Sequence, residues 1–223
     1  MTYQWESDAA MLQKCGETLF SAVIGDILDK MGYINQFLPQ RIRSLRQDMV
    51  CVGRAMTVQE ADCTGPLAKP FGKMLEALDS LTENEIYICA GSSVDYAQWG
   101  GLMSNRAKLL GAAGAVLNGY SRDTREILEL NFPVFSSGCY AKDQGVRGQV
   151  IDYRCPITFE NGVVVHPGDL VFGDLDGVVI VPKAVEGEVL TQALEKSQAE
   201  NAVRTTILGG MSTVEAFDKH GVM

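Results

Sequence analysis

Residues 114–130 read GAVLNGYSRDTREILEL. An apolar run, Ala115 to Leu117, passes through Asn118 and Gly119 to an adjacent Arg122 and Asp123, and a helix-like pattern begins immediately behind them. The stretch predicts a buried strand over 115–118 and a helix over 124–130, with opposite charges on the turn between. A strand ending in paired charges is either an ion pair that caps the next helix or a ligand site. Asp123 followed by Thr124, Arg125 and Glu126 is a passable helix start. Against that, ligands of open α/β sheets collect at the carboxyl ends of the strands. Both readings stand at this point.

Working outward, WGGLMSNRAKLLGAAG (99–114) carries Leu102, Arg106, Leu109 and Leu110 at helical spacing and should stop near Gly111 or Gly114. EIYICAG (85–91) and PVFSS (133–137) read as short buried strands, so the centre of the chain alternates β-α-β-α-β. MVCVGRAMTVQEAD (49–62) alternates and is rich in β-branched residues, as a strand does, and FGKMLEALDSL (71–81) returns to helical period. The first forty residues read as helical, with Leu19, Val23, Ile27 and Leu28 on one face, Ser21 as cap and Gly32 as stop. From 147 the pattern changes to hairpins, with a turn signal at Asn161-Gly162. A long helix is expected from about 184 to 208, then a short one opened by a Ser212/Glu215 capping box. Together these describe an α/β layered sandwich on a mixed sheet, one domain over 1–223 with C-terminal helices from about 184.

Composition narrows the chemistry. Hydrophobic residues make up 46% and charged residues 21%, which is ordinary for a globular chain. The net charge of −9 repels phosphate backbones and gives no electrostatic footprint for nucleic acid. The N-terminal MTYQWESDAAMLQKC has no basic leader and no run reaches the length of a membrane span, so a cytoplasmic protein without membrane attachment is expected. The cysteines at 15, 51, 63, 89, 139 and 155 form no CxxC pair and read as reduced thiols. No phosphate-binding glycine loop is present, and His166 and His220 lack zinc or triad spacing and read as surface residues.

Carboxylates and arginines remain as the chemical groups. Oxygen ligands suit Mg²⁺ or Mn²⁺, held through one or two carboxylates with water filling the other positions, and Asp123 is placed for that. Arg122 offers a planar two-pronged donor for a substrate carboxylate. The glycine pair in Trp99-Gly100-Gly101-Leu102-Met103 leaves backbone N–H groups at a helix start open to an anion, or else makes only a tight loop. DLDG at 174–177 reads as a turn rather than a metal site.

The order WGGLMSNRAKLLGAAGAVLNGYSRDTREI, PGDLVFGDLDGVVIVP and AENAVRTTILGG, with its GxxGxVxxGxxRD block, resembles the family that joins 4-hydroxy-4-methyl-2-oxoglutarate aldolases to regulators of ribonuclease E activity. The resemblance covers nearly the whole chain. It implies an α/β/β/α sandwich of the swivelling phosphohistidine-domain type, assembled as homotrimers or homohexamers with active sites between subunits. The activity it implies is a lyase for small 2-oxo dicarboxylic acids, forming pyruvate by retro-aldol cleavage or by oxaloacetate decarboxylation with Mg²⁺ or Mn²⁺. By position, Arg122 and the amides of Gly100, Gly101, Leu102 and Met103 would take the substrate carboxylate, Asp123 the metal, and Glu200 of a neighbouring subunit would assist proton transfer. The aldolases carry an acidic residue where this chain has Gly101, and Asp95, Glu60 and Asp62 are the candidate replacements. The regulators lack the aspartate of the pair, which this chain keeps. The resemblance leaves two further activities in play, a ring-shaped protein-binding regulator and a lyase or isomerase for a sugar acid.

Overall fold

The structure, a computed structural model, describes residues 5–221. The first four and last two residues, which the expected domain limits and the reading of the leader include, lie outside them. The helices are α1 (Asp8–Thr18), α2 (Ser21–Lys30), α3 (Met74–Asp79), α4 (Gly101–Leu109), α5 (Thr124–Leu130), α6 (Glu186–Leu208) and α7 (Thr213–His220). The strands are β1 (Arg43–Ser44), β2 (Cys51–Asp62), β3 (Glu85–Ala90), β4 (Ala97–Trp99), β5 (Gly114–Leu117), β6 (Tyr120–Ser121), β7 (Val134–Ser136), β8 (Gly148–Tyr153), β9 (Ile157–Thr158), β10 (Val164–Val165), β11 (Leu170–Asp174) and β12 (Gly177–Val181).

The alternating centre of the chain forms the parallel part of the main sheet. Strands β2, β3, β5 and β7 run parallel in that spatial order; β5, β7 and nearly all of β3 are buried on both faces, as continuous apolar strands must be, while β2 is fully buried only over its middle, Ala55 to Val58. Antiparallel strands extend it: β11 and β12 beyond β2, β8 along the far half of β2, and β1 beyond β7. The sheet curls until its edges approach, and Arg43 on β1 donates to the backbone carbonyls of the β11–β12 turn.

Curling creates three packed layers. Inside the curl, Ile86, Ile88, Val116, Phe135, Val171 and Ile180 form one core, roofed by Phe159 and Val163 of the β9–β10 hairpin. Outside β3, β5 and β7, helices α3, α4 and α5 bury Leu78, Ala107 and Ile127 against Tyr87, Leu117 and Val134. Outside β11 and β12, helices α1, α2 and α6 bury Leu12, Leu28 and Leu190 against Phe172 and Val179. Full burial of a leucine or isoleucine such as Leu28 or Ile127 stabilises the fold by about 2 kcal/mol. The mixed α/β class read from the sequence is therefore the class that forms, with the two inner layers being flanks of one curled sheet.

Several local expectations hold: α5 spans Thr124–Leu130, the capping box at Ser212 and Glu215 is formed, Asn161-Gly162 turns the β9–β10 hairpin, and Asp174 to Gly177 is the β11–β12 turn. All six cysteines are free, with Cys51 and Cys89 buried. Two readings need correction. The first forty residues make two helices, because Leu19 and Phe20 adopt extended backbone. Ser21 is the first helical residue and not the cap of α2; it donates through its N–H (2.8 Å) and hydroxyl (2.7 Å) to Asp174, so a carboxylate on β11 closes the helix start. Among the described residues no helix is long and apolar enough to cross a membrane.

Candidate functional site

Parallel strands β3 and β5 deliver two connections to the same end of the sheet, and short strands β4 and β6 pair in parallel to join them. The Arg122 N–H donates to the Trp99 carbonyl (3.0 Å) and the Gly119 N–H to Gln98 Oε1 (2.9 Å). Trp99 is buried, stacks on Phe132 (6.1 Å between ring centroids) and donates its indole N–H to Ser104 Oγ (2.7 Å). That anchoring places the start of α4 directly beside the Arg122-Asp123 turn.

Asp123 has left-handed backbone (φ 56°), a conformation in which aspartate is enriched among non-glycine residues. It stands at the cap position of α5 yet makes no side-chain cap bond there. Its Oδ2 instead accepts the N–H of Gly101 at 3.1 Å, so it caps the neighbouring helix α4. A Cβ on Gly100 would lie 2.7 Å from that oxygen, and one on Gly101 would strike the carboxylate of Glu126. Glycine at both positions lets two carboxylates approach the start of α4. Glu126 is held there by Asn105 Nδ2 (2.7 Å).

Arg122 meets Asp143 Oδ1 with Nη1 at 3.2 Å and lies 3.9 Å from Asp123 through Nε. Asp143 is positioned by its own loop, its Oδ2 accepting the Gly145 N–H at 3.1 Å. These groups form one end of a cleft of about 410 Å³ between α3 and α4, whose rim carries a second pair, Arg106 and Asp79 (2.7 Å). No lysine lines it. A larger depression of about 610 Å³ lies between α6 and α7, but its one carboxylate, Glu215, is engaged in the Ser212 cap.

The structure thus brings together Arg122, Asp123, Gly100, Gly101, Leu102 and Met103 as read from the sequence. Glu200 is not among them: it lies on α6, in the opposite helical layer, 3.5 Å from Lys196. None of the candidate replacements for an acid at 101 reaches the cleft. Asp95 pairs with Lys142, Asp62 accepts from Ser93 and Tyr96, and Glu60 is buried under Cys89. The carboxylate against Gly101 is Glu126. Sequence reading missed it, and Asp143 and Asp79 too. The one available signal was the spacing of Asp123 and Glu126, the cap position and third residue of α5, which a helix start brings close together.

Glu60 is the most perturbed acid in this region. It is 1% exposed, its Oε1 has no partner, and Cys89 Sγ approaches its Oε2 at 3.8 Å. Burial, reinforced by the charge of Asp62, pushes its pKa up to about 8.

Among the described residues no three His, Cys, Asp or Glu side chains converge as a metal cage. A cation at this site would rest on Asp123, which keeps Oδ1 available, with water completing its shell, and a hard divalent ion accepts such a donor set.

A curled mixed sheet with the Arg122-Asp123 pair in a cleft at the carboxyl ends of its parallel strands defines the class, a mixed α/β protein. Comparison with known proteins then specifies the family. The family described as RraA-like, Aldolase/RraA, matches residues 21–180, and the chain belongs to it. It is 33% identical over 203 residues to a protein of Halalkalibacterium halodurans named "Putative 4-hydroxy-4-methyl-2-oxoglutarate aldolase", covering 90% of each chain. It is 30% identical over 204 residues to Protein DlpA of Legionella pneumophila, where it covers 90% of this chain and spans about a third (32%) of that protein's length. Among solved structures, an uncharacterised protein of Pseudomonas syringae pv. tomato superposes with a TM-score of 0.84 at 27% identity, over 98% of this chain and 99% of that one. RraAS2 of Streptomyces coelicolor shares the fold with a TM-score of 0.76 at 24% identity, over 90% and 99%.

Proposed function

We propose that this protein is a lyase that releases pyruvate from a small 2-oxo acid, by retro-aldol cleavage of a 4-hydroxy-2-oxo acid, by decarboxylation of oxaloacetate, or by both. The observation that carries the reading is Arg122 beside Asp123 at the open amide end of α4, at one end of the cleft. The names of relatives such as the Halalkalibacterium halodurans protein support the same class.

In this reading the Arg122 guanidinium, with N–H groups beyond those facing Asp143 and Asp123, receives the substrate carboxylate. The Leu102 and Met103 N–H groups in the first turn of α4 lack intrahelical acceptors and orient the same carboxylate. Asp143 holds Arg122 from behind. Mg²⁺ or Mn²⁺ held by Asp123 would supply Lewis acidity toward the keto oxygen, where negative charge develops as the C3–C4 bond breaks. The 4-hydroxyl proton leaves to a carboxylate, assigned here to Glu200 of a neighbouring copy, and C3 takes up a proton to give pyruvate. That assignment requires the homotrimer or homohexamer that the family resemblance implies. Kinship with swivelling phosphohistidine domains belongs to the same proposal. The competing regulator reading draws on Gly101 as the loss of an acid, and the Glu126 carboxylate beside that glycine weighs against it.

The test is pyruvate release, coupled to lactate dehydrogenase, from oxaloacetate and 4-hydroxy-4-methyl-2-oxoglutarate with Mg²⁺, Mn²⁺ or EDTA, beside Asp123→Ala. Release that needs the metal and falls at least a hundredfold in the variant is expected. Release no faster than the free metal ion produces, in both proteins, would sink the reading.

A further inference from the structure

Resting on that lyase reading, we infer that the part of the substrate beyond the 2-oxo acid head is an uncharged, apolar tail seated between α3 and α4. The site then selects a 4-hydroxy-2-oxo monocarboxylic acid with an alkyl or aryl tail over a dicarboxylic acid.

The cleft leads from the Arg122 end along two apolar walls: Phe71, Met74, Leu75 and Leu78 on one side, Leu102 and Met103 on the other. Two of these are large side chains left in the open on the rim, Leu75 at 58% and Leu102 at 83% exposure. Exposed apolar side chains bordering a polar site mark a subunit contact or a binding groove, and the apolar walls running inward from the rim favour the groove.

Phe71 supplies a second, independent observation. Its backbone is left-handed (φ 64°), a strained state for an aromatic residue and one that persists only where its surroundings impose it. The surroundings here do so. The Val150 N–H donates to the Phe71 carbonyl (3.1 Å), the Lys73 N–H donates to the Val150 carbonyl (2.8 Å), and Gly72 lies too close to Val150 for any Cβ. The result aims the Phe71 ring into the cleft, where its Cε1 would meet a Cβ on Gly145 at 3.5 Å. Gly145 belongs to the loop that holds Asp143, so the ring joins the charged head of the cleft to its apolar walls.

Charge decides against a second carboxylate. The lining holds two cations, Arg122 and Arg106, and three carboxylates, Asp79, Asp123 and Asp143. Arg122 serves the head of the substrate. Arg106 is engaged by Asp79 at 2.7 Å. A distal carboxylate would meet Arg106 only in competition with Asp79, in a lining where three carboxylates outnumber two guanidiniums, and would lose its hydration against leucine and methionine side chains, which is unfavourable. An alkyl or phenyl tail gains by the same desolvation.

The experiment compares matched substrates sharing one head: 4-hydroxy-2-oxoglutarate, 4-hydroxy-2-oxohexanoate and 4-hydroxy-2-oxo-4-phenylbutanoate. In each, the C3–C4 bond breaks, the hydroxyl proton leaves and C3 is protonated, giving pyruvate and an aldehyde. The alkyl or phenyl substrate should exceed the dicarboxylate at least tenfold in kcat/KM, mainly through KM. Leu75→Lys, a change on the exposed rim, should move that ratio at least tenfold back toward the dicarboxylate with the oligomeric state unchanged by sedimentation. In parallel, thermal shifts with 2-oxohexanoate and 2-oxoglutarate report the same preference without turnover. If no substrate yields pyruvate but 2-oxohexanoate stabilises the protein more, the lyase reading falls and the apolar selection stands. Preference for the dicarboxylate in turnover or binding, or a Leu75→Lys effect confined to assembly, overturns the inference.

Discussion

Replacing Glu60 with glutamine should make the stability of this protein much less sensitive to pH. Glu60 sits on β2 with its carboxyl 1% exposed, one oxygen unpartnered and the other under the Cys89 thiol. Burial raises its pKa from 4.5 to about 8, with the Cys89 hydrogen bond opposing the rise and the Asp62 charge adding to it. Burial also pushes Cys89 and Tyr96 upward, so both stay neutral through pH 8. Between pH 4.5 and 8 the folded protein therefore holds a proton that the unfolded chain has released. Stability from this group is complete below pH 4.5, declines as pH rises through that window, and is level above it. At about 1.4 kcal/mol per pH unit, the loss is about 5 kcal/mol across the window, a large share of the 5–15 kcal/mol typical of a folded protein. Urea unfolding of wild type and Glu60→Gln at intervals from pH 4.5 to 9 measures it, because subtracting the two curves cancels the other titrating groups. The difference should move by about 5 kcal/mol in favour of the glutamine as pH rises. A difference that is flat with pH would show that the carboxyl ionises freely in the native state, and the burial argument would be wrong.

Two further changes test how the site is supported. Asp174→Ala leaves the buried N–H and hydroxyl of Ser21 without their acceptor and should cost about 2–3 kcal/mol in urea unfolding, with kcat of the folded fraction unchanged; a change below about 0.5 kcal/mol would mean α2 needs no such closure. Ser104→Ala strands the Trp99 indole N–H and should cost about 1–2 kcal/mol with a shift in tryptophan emission, and an unaltered spectrum would refute the anchoring role given to that bond.

Much of the central alternation was legible because its signals are local. The apolar run ending at Leu117, the helix beginning at Thr124 and the box at Ser212 and Glu215 each follow from spacing within a few residues. The break between α1 and α2 was not, since Leu19 and Phe20 carry no turn residue and the helical period runs across them. The charged turn was visible as a candidate site, but its capping alternative was assigned to the wrong helix. Asp123 caps α4, whose first residue lies 22 positions away along the chain.

The sequence by itself determined the strand-helix alternation, the adjacency of Arg122 to Asp123, and the glycine pair at the start of α4, because periodicity and neighbouring residues express local backbone preference. Only the tertiary structure decided that the sheet curls, that Asp143 stands 3.2 Å from Arg122, that Glu126 covers Gly101, and that Glu200 lies in the opposite layer. Those placements depend on sheet twist and on loops converging from separate strands, and a side chain's distance along the chain carries no record of them.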